Sequence, residues 1–404
     1  MTEPKHPISG RVVIVGGGVA GLEALLALRA LAGERVEPTL ISPNEWFIDR
    51  PMTVAEPFGF GSAARLSLPK VAAECGAEFV CGAVTAVDGA NRRVSCADGR
   101  EVAFDTLILG PGARGRAPFA DAITFGFEGS GQAIRDMLTQ LRAGEAHSVA
   151  FVAPSTTGWL LPLYELALMT ARELARSNVD GVELRLLTPE HGPLALFGER
   201  LSQGIGRLIE RAGIDSLHAS FAQLSEGGLM YEAIGQPSTD YVVTLPLLSG
   251  PELAGVPAGD THGFVPVNEY GQVAGLEGVY AAGDATDFPV KQGGLAAQQA
   301  DSVAEHVAAR HGADVEPEPF RPALRGMLFS GDEPLYMRSD VPGADEEIPG
   351  AWYPLWWPPT KVAGRYLGPY LFERGDEDRL GFPPGPPVGF VDVDLPLAEL
   401  TLPG

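Results

Sequence analysis

The sequence predicts an α/β protein built from two Rossmann-like domains, followed by a C-terminal region rich in proline and aromatic residues. Three observations carry that prediction. The branched apolar run Arg11-Val-Val-Ile-Val15 enters a glycine turn and then a Leu/Ala-rich helical stretch. A second strand–helix–strand pattern begins at Ser148. Beyond residue 316, closely spaced prolines make long helices unfavourable.

The first turn reads Gly16-Gly-Gly18-Val-Ala-Gly21. A tight turn at Gly16, close backbone approach to a pyrophosphate at Gly18 and close helix–strand packing at Gly21 are the demands of a dinucleotide site. The helix that follows offers free amide hydrogens and a partial positive charge to phosphate. The next expected elements are the strand Val36 to Ile41 and a single strand from Phe79 to Val87, antiparallel to Arg93–Cys96. Ala97-Asp98-Gly99-Arg100 supplies a hairpin turn, and Phe104 to Leu109 returns to the sheet. The second unit comprises the strand Ser148 to Ala153, a helix near Leu160 to Ala175 and the strand Val182 to Leu187. A last helix from Leu295 to Arg310 is expected to stop at Gly312.

Late in the chain, Gly278-Val-Tyr-Ala-Ala-Gly283-Asp284 ends a strand in Gly-Asp. There Asp284 can accept hydrogen bonds from ribityl or ribose hydroxyls, a need of flavin rather than of nicotinamide. Together the two motifs indicate FAD. With Leu107-Ile-Leu-Gly110-Pro-Gly112, they resemble the flavoproteins with two dinucleotide-binding domains, the pyridine nucleotide-disulfide oxidoreductase superfamily. The stretch Ala281 to Asp301, including Lys291-Gln292-Gly293-Gly294, is similar to the sulfide:quinone reductase and type II NADH dehydrogenase branch. The resemblance implies a discontinuous FAD-binding domain at 1–113 and 248–315, a second nucleotide-binding-like domain at 114–247 and a capping or interface region at 316–404.

The pattern fails in places. Ala153-Pro154-Ser155-Thr156-Thr157-Gly158 keeps only the third glycine of the fingerprint, with Pro154 removing an amide. That weakens the case for NAD(P)H, although Glu190 stands where an acid could hold a ribose. Loss of this fingerprint is itself like the sulfide:quinone reductases. Their chemistry, however, needs paired cysteines near the flavin, and a hydroxyl at Ser155 or Thr156 cannot form a persulfide or disulfide. Residues 42–60 also lack the dithiol of the disulfide reductases. Ser42 replaces the usual ribose-binding acid and can make only a single-point contact, while Arg50 is a further cofactor candidate.

The expected cofactor-binding set is Gly16, Gly18, Gly21, Ser42, Arg50, Gly112, Gly283, Asp284, Lys291, Gln292 and Gly293. Lys291 is the candidate catalytic residue, through a positive charge near the flavin ring at a helix N-terminus. Trp356, Trp357 and Lys361 lie in an aromatic cluster. That composition suits core packing or a homodimer interface, a ring-binding substrate pocket or shallow membrane contact.

The formal net charge of −23 argues against nucleic acid, and no stretch reaches the roughly 18 apolar residues of a membrane span. The three cysteines, Cys75, Cys81 and Cys96, form neither a disulfide scaffold nor a metal site, and the latter two read as buried strand thiols. The reading is a cytoplasmic FAD-dependent oxidoreductase with a small-molecule electron donor, a quinone-like acceptor and no metal. Its rivals are an NAD(P)H-dependent quinone or dye reductase and a catalytically silent flavoprotein that acts as a binding partner.

Overall fold

The computed structural model describes residues 10–154, 158–218, 222–225, 228–231, 239–259, 262–331, 333–339, 350–352 and 354–374. Strand β1 (Gly10–Val15) runs through the interior with only Arg11 exposed, so its apolar run is continuous rather than alternating. Helix α1 (Val19–Leu31) follows at once, and its Ala and Leu residues favour the helix while Leu22, Ala24, Leu25 and Leu28 are sealed from solvent. Strand β2 (Val36–Ser42) leads to a small ribbon of β3 (Trp46–Ile48) and β4 (Arg65–Ser67), and α2 (Leu68–Glu74) returns the chain to β5 (Glu78–Cys81).

Here the expected single strand from Phe79 to Val87 is two strands in different sheets. Residues 78–81 pair in parallel with β2, whereas β6 (Val84–Asp88) joins β7 (Arg93–Cys96) and β8 (Glu101–Ala103) in an antiparallel sheet. Gly82 sits at the break, and its amide still donates to Ser42. A glycine inside an apolar run marks a bend as readily as a continuation. The break also leaves Cys81 exposed, while Cys75 and Cys96 are buried. The turn at Asp98-Gly99 forms as expected, with Gly99 at φ +85°.

Strand β9 (Thr106–Leu109) completes this part, and β10 (Arg114–Arg116) carries the chain away. A second sheet then forms from β11 (Ile123–Thr124), α3 (Ser130–Ala143), β12 (Ser148–Val152), α4 (Leu161–Arg176), β13 (Glu183–Thr188), α5 (Glu199–Arg211) and β14 (Ile214–His218). After the ribbon β15 (Ala222–Ser225) and β16 (Gly228–Tyr231), strand β17 (Tyr241–Thr244) enters that sheet. Its order is β11-β17-β12-β13-β14, parallel throughout. Strand β18 (Leu247–Ser249) pairs antiparallel with β10, so the two crossings of the chain between the sheets are zipped together.

Strand β19 (Val279–Ala281) then inserts beside β9, giving a first sheet ordered β19-β9-β1-β2-β5, also parallel. Helix α6 (Gly293–Arg310) packs against α1, starting two residues before the expected Leu295 because Gln292 caps it by accepting the Leu295 amide at 2.8 Å. The last described part holds β20 (Leu324–Leu328), β21 (Leu335–Ser339), β22 (Gly350–Ala351) and the short α7 (Leu367–Arg374). It contributes to the interior. Phe329, Tyr336 and Trp356 join the core of the second sheet, and Val362, Leu367 and Leu371 join that of α1 and α6. Among the described residues, no helix is long and apolar enough to cross a membrane.

Candidate functional site

The first glycine turn is shaped by backbone contacts that side chains would destroy. Gly16 has φ +111°, and a Cβ there would lie 2.1 Å from the Gly110 carbonyl oxygen. A Cβ on Gly21 would lie 1.8 Å from the Gly16 oxygen. Gly18, by contrast, faces open space: a Cβ would meet nothing within 4 Å. It is the N-cap of α1 without a side-chain cap, so the first helical amides point into that space unpaired by a side chain. This is a built cradle for an anion. Gly112, at φ +77°, also borders open space, while Ser42 is buried and accepts the Asn44 amide at 3.3 Å.

Opposite this turn, β19 ends in Gly283-Asp284. Gln299 on α6 fixes the turn, its Oε1 accepting the Gly283 amide at 2.7 Å and the Thr286 hydroxyl at 3.3 Å. The Asp284 carboxylate makes no hydrogen bond to a described residue. Burial pushes its pKa up, and the charges of Lys291 and Arg50 oppose that push. A half-buried acceptor with no donor among the described residues suits a polyhydroxyl ligand.

Lys291 donates to the Thr286 carbonyl and holds its ammonium 3.7 Å from the centre of the Phe264 ring. Its charge therefore sits within the wall behind Asp284. Gln292 spends both ends of its amide within the protein, on Leu295 and on the Arg325 carbonyl at 2.9 Å, so only its backbone is left for a cofactor. A Cβ on Gly293 would approach Val362 at 3.3 Å and Pro51 and Val19 at 3.8 Å. The N-termini of α1 and α6, the Arg50-Pro51 turn and the segment after Thr360 thus converge at one place, with Arg50 itself exposed.

The second glycine position is built differently. In the first unit three residues separate strand from helix; here β12 ends at Val152 and α4 starts only at Leu161, with Pro162 in its first turn. Ser155, Thr156 and Thr157 lie outside the described residues. A Cβ on Gly158 would stand 2.5 Å from the Pro289 oxygen, so the chain at Gly158 packs on the segment leading to Lys291. Glu190, which stands where an acid could hold a ribose, is engaged by the Tyr164 hydroxyl at 2.6 Å and the Leu194 amide at 3.4 Å. Burial raises its pKa against the effect of the Tyr164 hydrogen bond.

A buried charge cluster joins the two halves. Lys361 Nζ lies 2.5 Å from Glu165 Oε1 and 4.3 Å from the centre of the Phe329 ring, and the same oxygen accepts the Phe329 amide at 2.9 Å. Glu165 Oε2 and Asp49 Oδ1 are sealed off without a hydrogen-bond partner among the described residues. Burial pushes Glu165 up and Lys361 down, toward their neutral forms, and their mutual attraction resists both shifts. Trp356, expected in a ring-binding pocket, is core: it meets Tyr336 edge-on at 5.1 Å and donates to the Thr360 carbonyl. Trp357 is half-buried against Phe372. Lys361 is thus an interior ion-pair partner rather than a residue lining an open pocket.

Burial, opposed by Lys361, raises the pKa of Asp49 to about 6. Because the folded form binds the proton more tightly than an ordinary carboxylate, this group's contribution is fully favourable below about pH 4. It is lost as pH rises through about 6. Asp49→Asn should therefore flatten the decline in stability across that window. Thermal denaturation of both proteins at closely spaced pH values measures it, and an unchanged slope refutes this origin.

Sequence reasoning missed Asp49, Glu165 and Gln299. Only Gln299 left a signal, as a polar residue on the otherwise Ala-rich inner face of α6.

A family described as pyridine nucleotide-disulphide oxidoreductase matches residues 10–152. An NADH dehydrogenase-like protein of Mycobacterium tuberculosis strain H37Rv is 28% identical over 294 residues, covering 68% of this chain and 72% of that protein. An oxidoreductase of Pestalotiopsis fici is 27% identical over 344 residues, covering 78% and 87%. Among solved structures, the sulfide:quinone oxidoreductase of Aquifex aeolicus superposes with a TM-score of 0.77 at 20% identity, covering 85% of this chain and 86% of that one. NDH2 from Plasmodium falciparum in complex with NADH gives 0.66 at 13% identity, covering 85% and 92%.

Proposed function

We propose that the chain, whose residues 10–152 match the pyridine nucleotide-disulphide oxidoreductase family, is an FAD-dependent oxidoreductase passing electrons from a small donor other than NAD(P)H to a quinone-like acceptor. The observation that carries this reading is the contrast between its two glycine turns. The first opens a helix N-terminus onto free space at Gly18; the second delays its helix to Leu161 and binds its acidic residue to Tyr164. When bound, FAD supplies the electron transfer between donor and acceptor.

The chain's residues would then do the following. Gly16, Gly18 and Gly21 let the backbone approach the pyrophosphate, with Gly112 and the single hydroxyl of Ser42 bordering the same face. Asp284, held by the Gly283–Gln299 contact, accepts the sugar hydroxyls. Lys291 and Arg50 offset its charge, and the N-terminus of α6 at Gly293 presents positive potential to the ring. Glu165, Lys361 and Asp49 hold exchangeable protons behind that point. We assign the FAD-binding role to residues 1–113 and 248–315, and a role without nucleotide to 114–247, with 316–404 closing the acceptor side.

The second reading, a nicotinamide-dependent quinone or dye reductase, draws on relatives named NADH dehydrogenase-like and on the retained parallel sheet around β12. An anaerobic spectrum of the purified protein, titrated separately with NADH, NADPH and sulfide, separates the two. The first reading expects a flavin spectrum that neither nicotinamide bleaches. Fast bleaching by NADH selects the second, and protein that neither carries nor takes up flavin defeats both.

A further inference from the structure

Outside this site, a pair of carboxyl groups lies where α1, α6 and the end of the described chain meet. Glu23 is completely buried on α1, and its two oxygens accept the Tyr366 and Leu367 amides, each at 2.7 Å. A Cβ on Gly364 would stand 2.4 Å from Glu23 Oε2, so the chain passes this carboxyl as closely as glycine allows. Asp301 of α6 stands one turn from Ala297, whose Cβ lies 3.1 Å from that same Gly364 position, and one turn from Glu305, which Arg365 reaches at 2.9 Å. It therefore faces Glu23 within hydrogen-bonding reach, and its Oδ1 is shut away without a partner among the described residues. Two carboxylates can form that bond only if one proton lies between them.

The remaining charged and titratable neighbours do not neutralise the pair. Arg365 is half-exposed and turns to Glu305 at 2.9 Å, while Tyr366 offers a neutral phenol. Further along, Tyr370 and Arg374 both bond Glu74 at 2.8 Å.

We propose that Glu23 and Asp301 form a proton-sharing clasp that fastens residues 364–374 to α1 and α6, and so seats Val362 against the candidate flavin site. The location of that site rests on the function proposed above; the clasp does not. Glu23, with two amide donors, is the anion, and Asp301 keeps the proton. Removing it places two negative charges side by side in the interior, and the least costly relief is for the segment to lift and admit water. Burial and the facing carboxyl raise the Asp301 pKa, so the closed form binds the proton more tightly than the open form. Closure is therefore favoured at low pH and weakens as pH rises through the raised value.

Hydrogen-exchange mass spectrometry of the full chain from about pH 6 to about pH 9, corrected for intrinsic exchange, tests this. Protection over residues 358–374 should fall roughly tenfold per unit of pH above the pair's pKa. It should stay flat in Asp301→Asn, whose amide still donates to Glu23 without a charge to lose. Should that variant fold poorly, Glu23→Gln is expected to show the same flat profile at lower absolute protection. Constant protection in the wild type, or an unchanged slope in the variants, overturns the clasp. Because amides are read rather than flavin, a protein without flavin can still support the clasp, and a flavin-loaded protein with a pH-independent segment refutes it alone.

Discussion

Gly18→Val should give a folded protein that has lost its flavin. A Cβ at this N-cap would meet no atom within 4 Å, and its φ of −89° and ψ of −166° are open to any residue. The cost to stability is expected to stay within about 1 kcal/mol, the range of an N-cap change. The bulk, however, fills the space in front of the α1 amides. FAD affinity should drop at least about a hundredfold, close to 3 kcal/mol. Gly21→Val is the informative comparator, because its Cβ would stand 1.8 Å from the Gly16 oxygen, where backbone rather than a flexible side chain must move. It should lose flavin together with about 3 kcal/mol or more of stability. Flavin absorbance per chain and thermal denaturation of the apoproteins separate these outcomes. Stoichiometric flavin in Gly18→Val would mean that the cofactor does not use this turn.

The difference between those two glycines also shows what was legible in the sequence. The positive φ of Gly16, the open N-cap at Gly18 and the contact of Gly21 with the Gly16 oxygen arise within six residues of chain, as does the strand-to-helix junction that gives them meaning, although the Gly110 oxygen that also excludes a side chain at Gly16 comes from a distant strand end. Asp284 was legible for the same reason, as the end of a strand followed by a helix start. Lys361 and Glu165 are 196 residues apart, and nothing local to either announces the other. Trp356 carried a composition that suits a pocket, but its place in the core depends on Tyr336 from strand β21. The run from Phe79 to Val87 kept its β character through Gly82, so pattern alone could not show a change of sheet. Local steric rules survive in sequence; long-range pairing of charge and ring does not.

Lys361→Met should be among the most destabilising substitutions in the chain, at about 3–5 kcal/mol, since it strips the cation from two interior carboxylates. Glu165 is left with the Phe329 amide alone, and Asp49 loses the charge that opposes its own neutralisation. The loss should be least at acidic pH, where both carboxyls take up protons. Adding Glu165→Gln removes the uncompensated charge while keeping an acceptor for Phe329, and should recover at least half of the lost stability. This rescue separates packing from chemistry. If Lys361 and Glu165 serve only to hold the tail, the rescued double variant, once reduced with dithionite, should deliver electrons to a soluble quinone at the wild-type rate. If they also supply protons on the acceptor side, delivery should remain about a hundredfold slow in a protein that folds and carries flavin normally. A stopped-flow measurement of that half-reaction decides between the two. The proton role predicts a further sign: the defect should shrink at low pH, where solvent replaces the missing donor.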